Sequence, residues 1–372
     1  MKYYFIAGEA SGDLHASNLA RDLQQLDPEA EMRGFGGDRM QAAGIRLSHH
    51  IREMDFMGFI EVVSNLPSIL RLLKDAQREL LNFRPDVLIL VDYPGFNLKM
   101  AEFARKNGFR VIYYISPQIW AWRPSRVRAI RRSVQRMITI LPFEKDFYAS
   151  HGFDVFYAGH PLLDVTSAFV PSEEFKRKYT SPGSPVIALL PGSRRQEIAR
   201  MLPIMLQVTR RFPEYQFVVG AASERDKEFL GRWTRNYPVK IVYGQTYDLL
   251  NIAYAAIVTS GTASLETALF GVPQVIVYKG NYLSYLIAKR LVKVNFIGLP
   301  NLILNKPVVK ELIQNDLNSF MLYDELDRLV KNEFYRQSMQ RNYLELRQLL
   351  GGNGVSERAA REIVRILTEA QS

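Results

Sequence analysis

An α/β architecture of two doubly wound domains follows from three features of this 372-residue chain. Short continuous apolar runs, Val87–Val91 and Val186–Leu190 among them, read as strands buried on both faces, as parallel sheets require. Helical patterns fill the stretches between such runs and give a βαβα rhythm. The rhythm weakens over 159–183, where Pro161, Pro171, Pro182 and Gly183 interrupt it, and then restarts. At about 150 residues per domain the length also suits two domains.

The elements are expected in this order. Residues 3–7 form an aromatic first strand, and a glycine-bearing loop, 8–13, leads into a helix with Leu14, Leu19, Leu23 and Leu26. Helices over 67–83 and 96–106 flank the strand Val87–Val91, and 111–115 and 137–141 are further strands. After a linker at 166–184 come the strand Val186–Leu190, a turn at 191–193 and a helix over 196–212. Strands follow at 215–219, 240–243, 256–259 and Gln274–Tyr278. The stretch 323–370 is helical, with a break at 351–354. The domains are therefore expected at 1–165 and 185–345, with a helical tail, 346–372, that can pack back on the first. In open α/β sheets ligands bind beyond the carboxyl ends of the strands at a switch point, so two such domains facing each other would share a central cleft.

Composition narrows the partners. A net charge of +10 points to an anionic partner: nucleic acid, a phosphorylated small molecule or an acidic membrane surface. The chain has no cysteine, which excludes disulfides, thiolate zinc sites and thiol nucleophiles. The amino terminus runs into the first strand without a signal-peptide core, and no apolar run is long enough to span a bilayer. A cytoplasmic protein with peripheral membrane contact is expected.

Six constellations can carry chemistry. Pro191-Gly192-Ser193-Arg194-Arg195 joins a strand end to a helix start, where free N–H groups, the helix dipole and the Arg194 fork suit a phosphate; an ordinary turn with solvated arginines would look the same. Ser260-Gly261-Thr262-Ala263-Ser264 repeats the arrangement with small residues that leave room for a diphosphate. Glu266, on the first turns of that helix, can accept from two vicinal ribose hydroxyls or simply offset the dipole. Asp92 follows a buried strand directly and is either a general base or a helix cap. In the 8–13 loop, Ser11 and Gly12 either line the cleft or make a tight turn; the loop fits neither the dinucleotide nor the P-loop fingerprint.

The segment Ser116-Pro117-Gln118-Ile119-Trp120-Ala121-Trp122-Arg123 precedes a basic stretch with Arg126, Arg128, Arg131, Arg132 and Arg136. It can line a substrate site, meet lipid headgroups, bind nucleic acid, or be a solvated basic helix with packed tryptophans. The apolar stretch 59–73 includes Val63, Leu66, Ile69, Leu70, Leu72 and Leu73. Most of it follows one helical stripe suited to a core, while Leu72 is read as falling off the stripe and open to acyl chains or membrane. There is no D-x-D frame and no H-E-x-x-H, so a diphosphate held by arginine and helix ends is expected rather than one held by a metal.

In order and spacing these strings resemble the lipid-A-disaccharide synthase family over nearly the whole chain. The matching strings include Ala7-Gly8-Glu9-Ala10-Ser11-Gly12-Asp13, Asp92-Tyr93-Pro94-Gly95-Phe96-Asn97, Leu141-Pro142-Phe143-Glu144-Lys145 and Gly159-His160-Pro161-Leu162. Leu190-Pro191-Gly192-Ser193-Arg194, Ser260-Gly261-Thr262-Ala263-Ser264-Leu265-Glu266, Ala288-Lys289-Arg290-Leu291-Val292-Lys293 and Leu299-Pro300-Asn301-Leu302 continue the match. Pro94-Gly95 and Gln118-Ile119 are small departures from the pattern.

The resemblance implies the GT-B fold and an inverting, metal-independent glycosyltransferase without a cofactor. Its substrates would be UDP-2,3-diacylglucosamine and 2,3-diacylglucosamine 1-phosphate (lipid X), giving a β-1,6 disaccharide 1-phosphate and UDP. Asp92 would be the base. Ser193, Arg194, Ser260 to Ser264, Glu266 and Asn301 would hold the donor, and Ser11, Gly12, Ser116, Trp120 and Trp122 would line the acceptor side. The basic segments would meet an anionic inner-membrane surface on its cytoplasmic face, with no nucleic-acid partner. Oligomeric state is left open. Another UDP-sugar-dependent GT-B enzyme and a basic nucleic-acid-binding protein are the alternatives, the second resting only on charge and the Trp/Arg segment.

Overall fold

A computed structural model describes residues 1–53, 66–122, 126–281 and 294–369. They form two compact units, Met1–Asp164 with Leu350–Ser372, and Val165–Leu349.

The first unit contains, in order, β1 (Lys2–Ala7), α1 (Ala10–Leu26), β2 (Glu31–Gly36), α2 (Asp38–Ala42), β3 (Arg46–His50), α3 (Leu66–Phe83) and β4 (Val87–Val91). It continues with α4 (Pro94–Lys106), β5 (Val111–Tyr114), α5 (Ile119–Trp122), α6 (Val127–Ser133), β6 (Arg136–Thr139), α7 (Pro142–Ala149) and β7 (Phe156–Tyr157). The strands form a seven-stranded sheet in the order β3-β2-β1-β4-β5-β6-β7, parallel throughout. Side chains alternate across it. Tyr4, Ile6, Leu88, Leu90 and Tyr113 pack on one face with α3, α4 and α6. Tyr3, Phe5, Ala7, Ile89, Val91 and Tyr114 pack on the other with α1 and the C-terminal helix. Burial on both faces explains the continuous apolar runs.

The C-terminal helix, Val355–Glu369, belongs to this unit. Val355, Ala359, Ile363 and Leu367 enter its core. The Asp164 carboxylate accepts from the amides of Gly354 at 2.6 Å and Val355 at 2.9 Å, placing a negative charge at the positive end of the helix. Arg136 pairs with Glu362 of the same helix at 2.7 Å and with Asp154 at 2.9 Å.

In the chain order of the second unit come α8 (Leu162–Ser167), in which the division falls, α9 (Glu173–Tyr179), β8 (Val186–Leu190), α10 (Arg195–Thr209), β9 (Gln216–Ala221), α11 (Lys227–Thr234) and β10 (Val239–Tyr243). Then follow α12 (Thr246–Ile252), β11 (Ala253–Thr259), α13 (Thr262–Leu269), β12 (Gln274–Tyr278), α14 (Leu299–Leu304), β13 (Glu311–Ile313), α15 (Ser319–Lys331) and α16 (Glu333–Leu349). Its six-stranded sheet runs β10-β9-β8-β11-β12-β13, again parallel. The fold is α/β of the GT-B type, a doubly wound parallel sheet in each unit.

The stretch expected to be a linker is ordered differently. Phe175 and Tyr179, one helical turn apart on α9, bury against Val186, Val218 and Val242 of the second unit. Ser172 caps α9 by accepting from the Phe175 amide at 3.1 Å. Prolines flank this helix rather than forbid it.

Candidate active site

Each sheet has one switch point, β1/β4 in the first and β8/β11 in the second. Ala7 of β1 lies level with Val91 of β4, so the 8–13 loop and Asp92 emerge side by side.

Asp92 sits in a strained turn. It and Tyr93 both adopt left-handed backbone, each at φ 48°. Such geometry costs on the order of 1–3 kcal/mol per residue and persists only where the surroundings enforce it. Here the Asp92 carbonyl accepts from Tyr113 Oη at 2.6 Å and Asn97 Nδ2 at 2.7 Å. Both donors are fully buried. Burial, reinforced by the like charge of Glu9, raises the pKa of the Asp92 carboxyl to about 6, against the opposing hydrogen bond from the Tyr93 amide. A half-buried carboxylate so poised is a proton acceptor near neutral pH. Gly8 serves the same turn, because a Cβ there would run into the Tyr93 ring.

Other first-unit candidates divide. Ser11 is exposed on the first turn of α1. Gly12 is buried, and a Cβ there would stand 3.3 Å from Ala7 Cβ, so it lets α1 close on the sheet rather than lining a surface. Ser116 is buried too, its hydroxyl 2.7 Å from Tyr148 Oη. Trp120 is half-buried, with its indole N–H donated to Glu144. The side chain of Trp122 lies outside the described residues.

The apolar patch needs correction. Leu72 is buried with Ala76, Leu80 and Phe83, which set the inward stripe of α3 at helical spacing. Ile69 and Leu73 are partly buried against the same core, and Leu70 alone among these four is exposed. Val63, the side chain of Leu66 and the 288–293 segment lie outside the described residues. Of the arginines, Arg136 is neutralised by Glu362 and Asp154 and is no free cation for a membrane.

At the second switch point, Gly192 has φ 109°, and a Cβ on it would meet Glu197 Oε2 at 2.8 Å. The glycine therefore lets the loop turn closely over the start of α10. Ser193 and Arg194 are exposed there, Arg194 as the residue preceding the helix and 3.5 Å from Glu197 Oε1. The amino end of α13 stands beside it, with Gly261 as its N-cap and Gly261 and Thr262 exposed. Ser260 donates to Ile297 O at 2.9 Å, and buried Ser264 to Gly261 O at 2.7 Å. These two hydroxyls shape the loop. Glu266 accepts from Tyr247 Oη at 2.7 Å, and burial raises its pKa.

Asn301 departs from its expected role as a donor contact. It is buried, gives both amide hydrogens to Val309 O and Glu311 Oε1, and accepts from the Val309 amide. Glu311 in turn accepts from the amides of Ile297 and Gly298. Asn301 thus fixes the 297–311 turn that Ser260 also grips.

A family model described as lipid-A-disaccharide synthetase matches residues 3–364. The chain belongs to the lipid-A-disaccharide synthase family. Relatives of that name include the protein from Geobacter sulfurreducens, 38% identical over 369 residues, 97% of this chain and 96% of its own length. The Syntrophus aciditrophicus protein is 41% identical over 363 residues, 95% of each chain. The chain is therefore a glycosyltransferase of lipid A biosynthesis that forms the lipid A disaccharide. Solved structures share the fold at low identity. UDP-GlcNAc 2-epimerase from Neisseria meningitidis, bound to UDP-GlcNAc, superposes with a TM-score of 0.68 at 13% identity, covering 98% of this chain and 100% of its own. The calicheamicin glycosyltransferase CalG4 gives 0.62 at 17%, covering 99% and 98%.

For a lipid-A-disaccharide synthase, two features escaped sequence reasoning. Glu9 was visible only as part of a loop, and its effect on Asp92 depends on β1, ending at Ala7, pairing with β4, which begins at Val87. Glu144 was visible only as part of a family string, yet it is a buried carboxylate whose pKa burial pushes up to about 7. Among the described residues no helix is long and apolar enough to cross a membrane.

Proposed function

We propose that this chain transfers 2,3-diacylglucosamine from its UDP derivative to the 6-hydroxyl of 2,3-diacylglucosamine 1-phosphate, with inversion. The observation that carries the reading is the half-buried, strained Asp92 turn, whose carboxyl, with its pKa raised to about 6, is ionised at neutral pH yet basic enough to take a proton. As the acceptor oxygen bonds to the donor anomeric carbon, the hydroxyl proton passes to Asp92. The bond from that carbon to the diphosphate oxygen breaks, and the electron pair leaves with UDP. The developing negative charge meets the amino ends of α10 and α13 and the Arg194 guanidinium. Glu266 accepts from the ribose hydroxyls, and with the diphosphate charge met by the two helix ends and Arg194 the reaction is read as needing neither metal nor cofactor. The Neisseria meningitidis epimerase holds UDP-GlcNAc on the same fold, which supports a UDP-sugar as donor.

The acylated acceptor is reached at an anionic membrane surface on the cytoplasmic side. Exposed Leu70 on α3 and exposed Arg128, Arg131 and Arg132 on α6 support that contact. Purified protein incubated with both substrates in detergent and chelator is expected to yield disaccharide 1-phosphate and UDP in equal amounts. Release of free N-acetylmannosamine or UDP from UDP-GlcNAc alone, with no disaccharide, would instead identify an epimerase-like enzyme. Activity lost to chelator and restored by a divalent cation would overturn the metal-free mechanism.

A further inference from the structure

We infer that Glu144 is a positioning residue for the acceptor, acting through the indole of Trp120. The inference rests on the reading above, in which Trp120 lines the acceptor side.

Glu144 is a carboxylate in the core, 1% exposed. Burying a charge is costly unless its oxygens are engaged. Both are. Oε2 accepts from the amides of Ile140 at 3.2 Å and Leu141 at 3.0 Å, the free donors at the start of α7. Oε1 accepts from Trp120 Nε1 at 3.2 Å. The first pair of bonds is the reverse half of a capping box and would serve any helix. The third reaches across 24 residues to a half-buried indole on α5.

The indole is held from a second side by Phe143, whose ring meets it edge-on with centroids 4.8 Å apart. Ser116, just before α5, is hydrogen-bonded to Tyr148 of α7. Thus α5 is tied to α7 at two points, both beyond the carboxyl ends of β5 and β6, on the rim of the sheet that bears Asp92. A half-buried tryptophan held by a hydrogen bond at its N–H and by a ring contact presents a fixed apolar plate. An acylated glucosamine has matching apolar surface, and a fixed plate would add to its affinity without altering the chemical step.

Glu144→Gln isolates the anchor. An amide has one acceptor oxygen, so it can satisfy the two backbone amides or the indole, but not both. With that oxygen left on the backbone, the amide nitrogen faces the indole N–H and the anchor is lost. The expected result is an acceptor KM raised about tenfold, with donor KM and kcat within about twofold. The Trp120 resonance in protein labelled with 5-fluorotryptophan, assigned by Trp120→Phe, should shift while that of Trp233 stays in place. In a Trp120→Phe background, which has no N–H to anchor, Glu144→Gln should add little.

Equal losses for donor and acceptor, or a Glu144 effect that adds in full to Trp120→Phe, would overturn the inference in favour of a purely structural carboxylate. If Trp120→Phe itself leaves acceptor KM unchanged, the acceptor-lining reading fails first, and the inference with it. Should Glu144→Gln not fold, the indole ¹H–¹⁵N signal of Trp120 in the unaltered protein decides. Acceptor must move it and UDP must not; a signal unmoved by saturating acceptor refutes the role.

Discussion

The two switch points share a topology and differ in electrostatics. At β1/β4 the backbone is bent into two consecutive left-handed residues, and a carboxyl is set beside a second carboxylate, Glu9. At β8/β11 the loops instead open two helices, and a guanidinium stands at the start of one of them. The first arrangement makes a negative charge uncomfortable, and the second welcomes it. On the proposed reading, a single fold rule, ligands at the reversal of strand order, yields a proton acceptor in one unit and an anion cradle in the other. The difference is made by a handful of loop residues.

Breaking the first switch point should have the largest effect. Asp92→Asn is expected to lower kcat by about 10²–10⁴, the range for removing a general base, while UDP affinity by calorimetry stays within about twofold. Loss of UDP binding in step with activity would mean that Asp92 belongs to the anion cradle. Breaking the second should be smaller and opposite in kind. Arg194→Ala is expected to weaken UDP by about tenfold to a hundredfold, as for a lost charged hydrogen bond. An unchanged UDP affinity would leave the helix ends as the only cradle.

Stability should separate the two in a third way. The Asp92 pKa is about 6 in the folded protein against an ordinary 3.8. Its contribution is therefore complete below the unfolded value and lost as pH rises through the folded one. At pH 8 Asp92→Asn should unfold at higher denaturant than the unaltered protein, by about 1–3 kcal/mol, and near pH 4 the gap should close. Asp92→Asn being less stable at pH 8 would show the carboxylate to be structurally favourable. The smallest effect concerns the ribose. The unaltered protein should prefer UDP over 2′-deoxy-UDP by about tenfold, and Glu266→Gln should shrink that preference to about threefold. A preference that survives intact would place the ribose elsewhere.

Much of this contrast was legible in the sequence, though unevenly. Val87–Val91, Val186–Leu190 and Gln274–Tyr278 were read to the residue, because strands covered on both faces show as continuous, largely apolar runs. The strands β2, β3, β7 and β13 were not read. Glu31–Gly36 mixes charge and glycine, Arg46–His50 is a partly exposed edge, and Phe156–Tyr157 and Glu311–Ile313 are too short to show a period. Leu72 was misplaced because the phase of α3 is fixed by Ala76, Leu80 and Phe83 further along it.

In the site, loop composition singled out Asp92, Arg194 and the 260–264 loop as candidates, since small residues and helix starts leave a local mark, but left their roles open. Tertiary partners leave none. The engagement of Asn301 with Glu311, the burial of Ser116 and the Trp120 anchor on Glu144 depend on elements that meet only after folding.

The central claim, a base at the first switch point separate from the diphosphate cradle at the second, is tested most directly by the pH dependence of acceptor kcat/KM. The protein should show an acid limb with a midpoint near the Asp92 value of about 6. Below it the rate should fall about tenfold per pH unit, while UDP affinity stays flat over the same range. The residual activity of Asp92→Asn should lack that limb. An acid limb that persists unchanged in Asp92→Asn would contradict the assignment of the base.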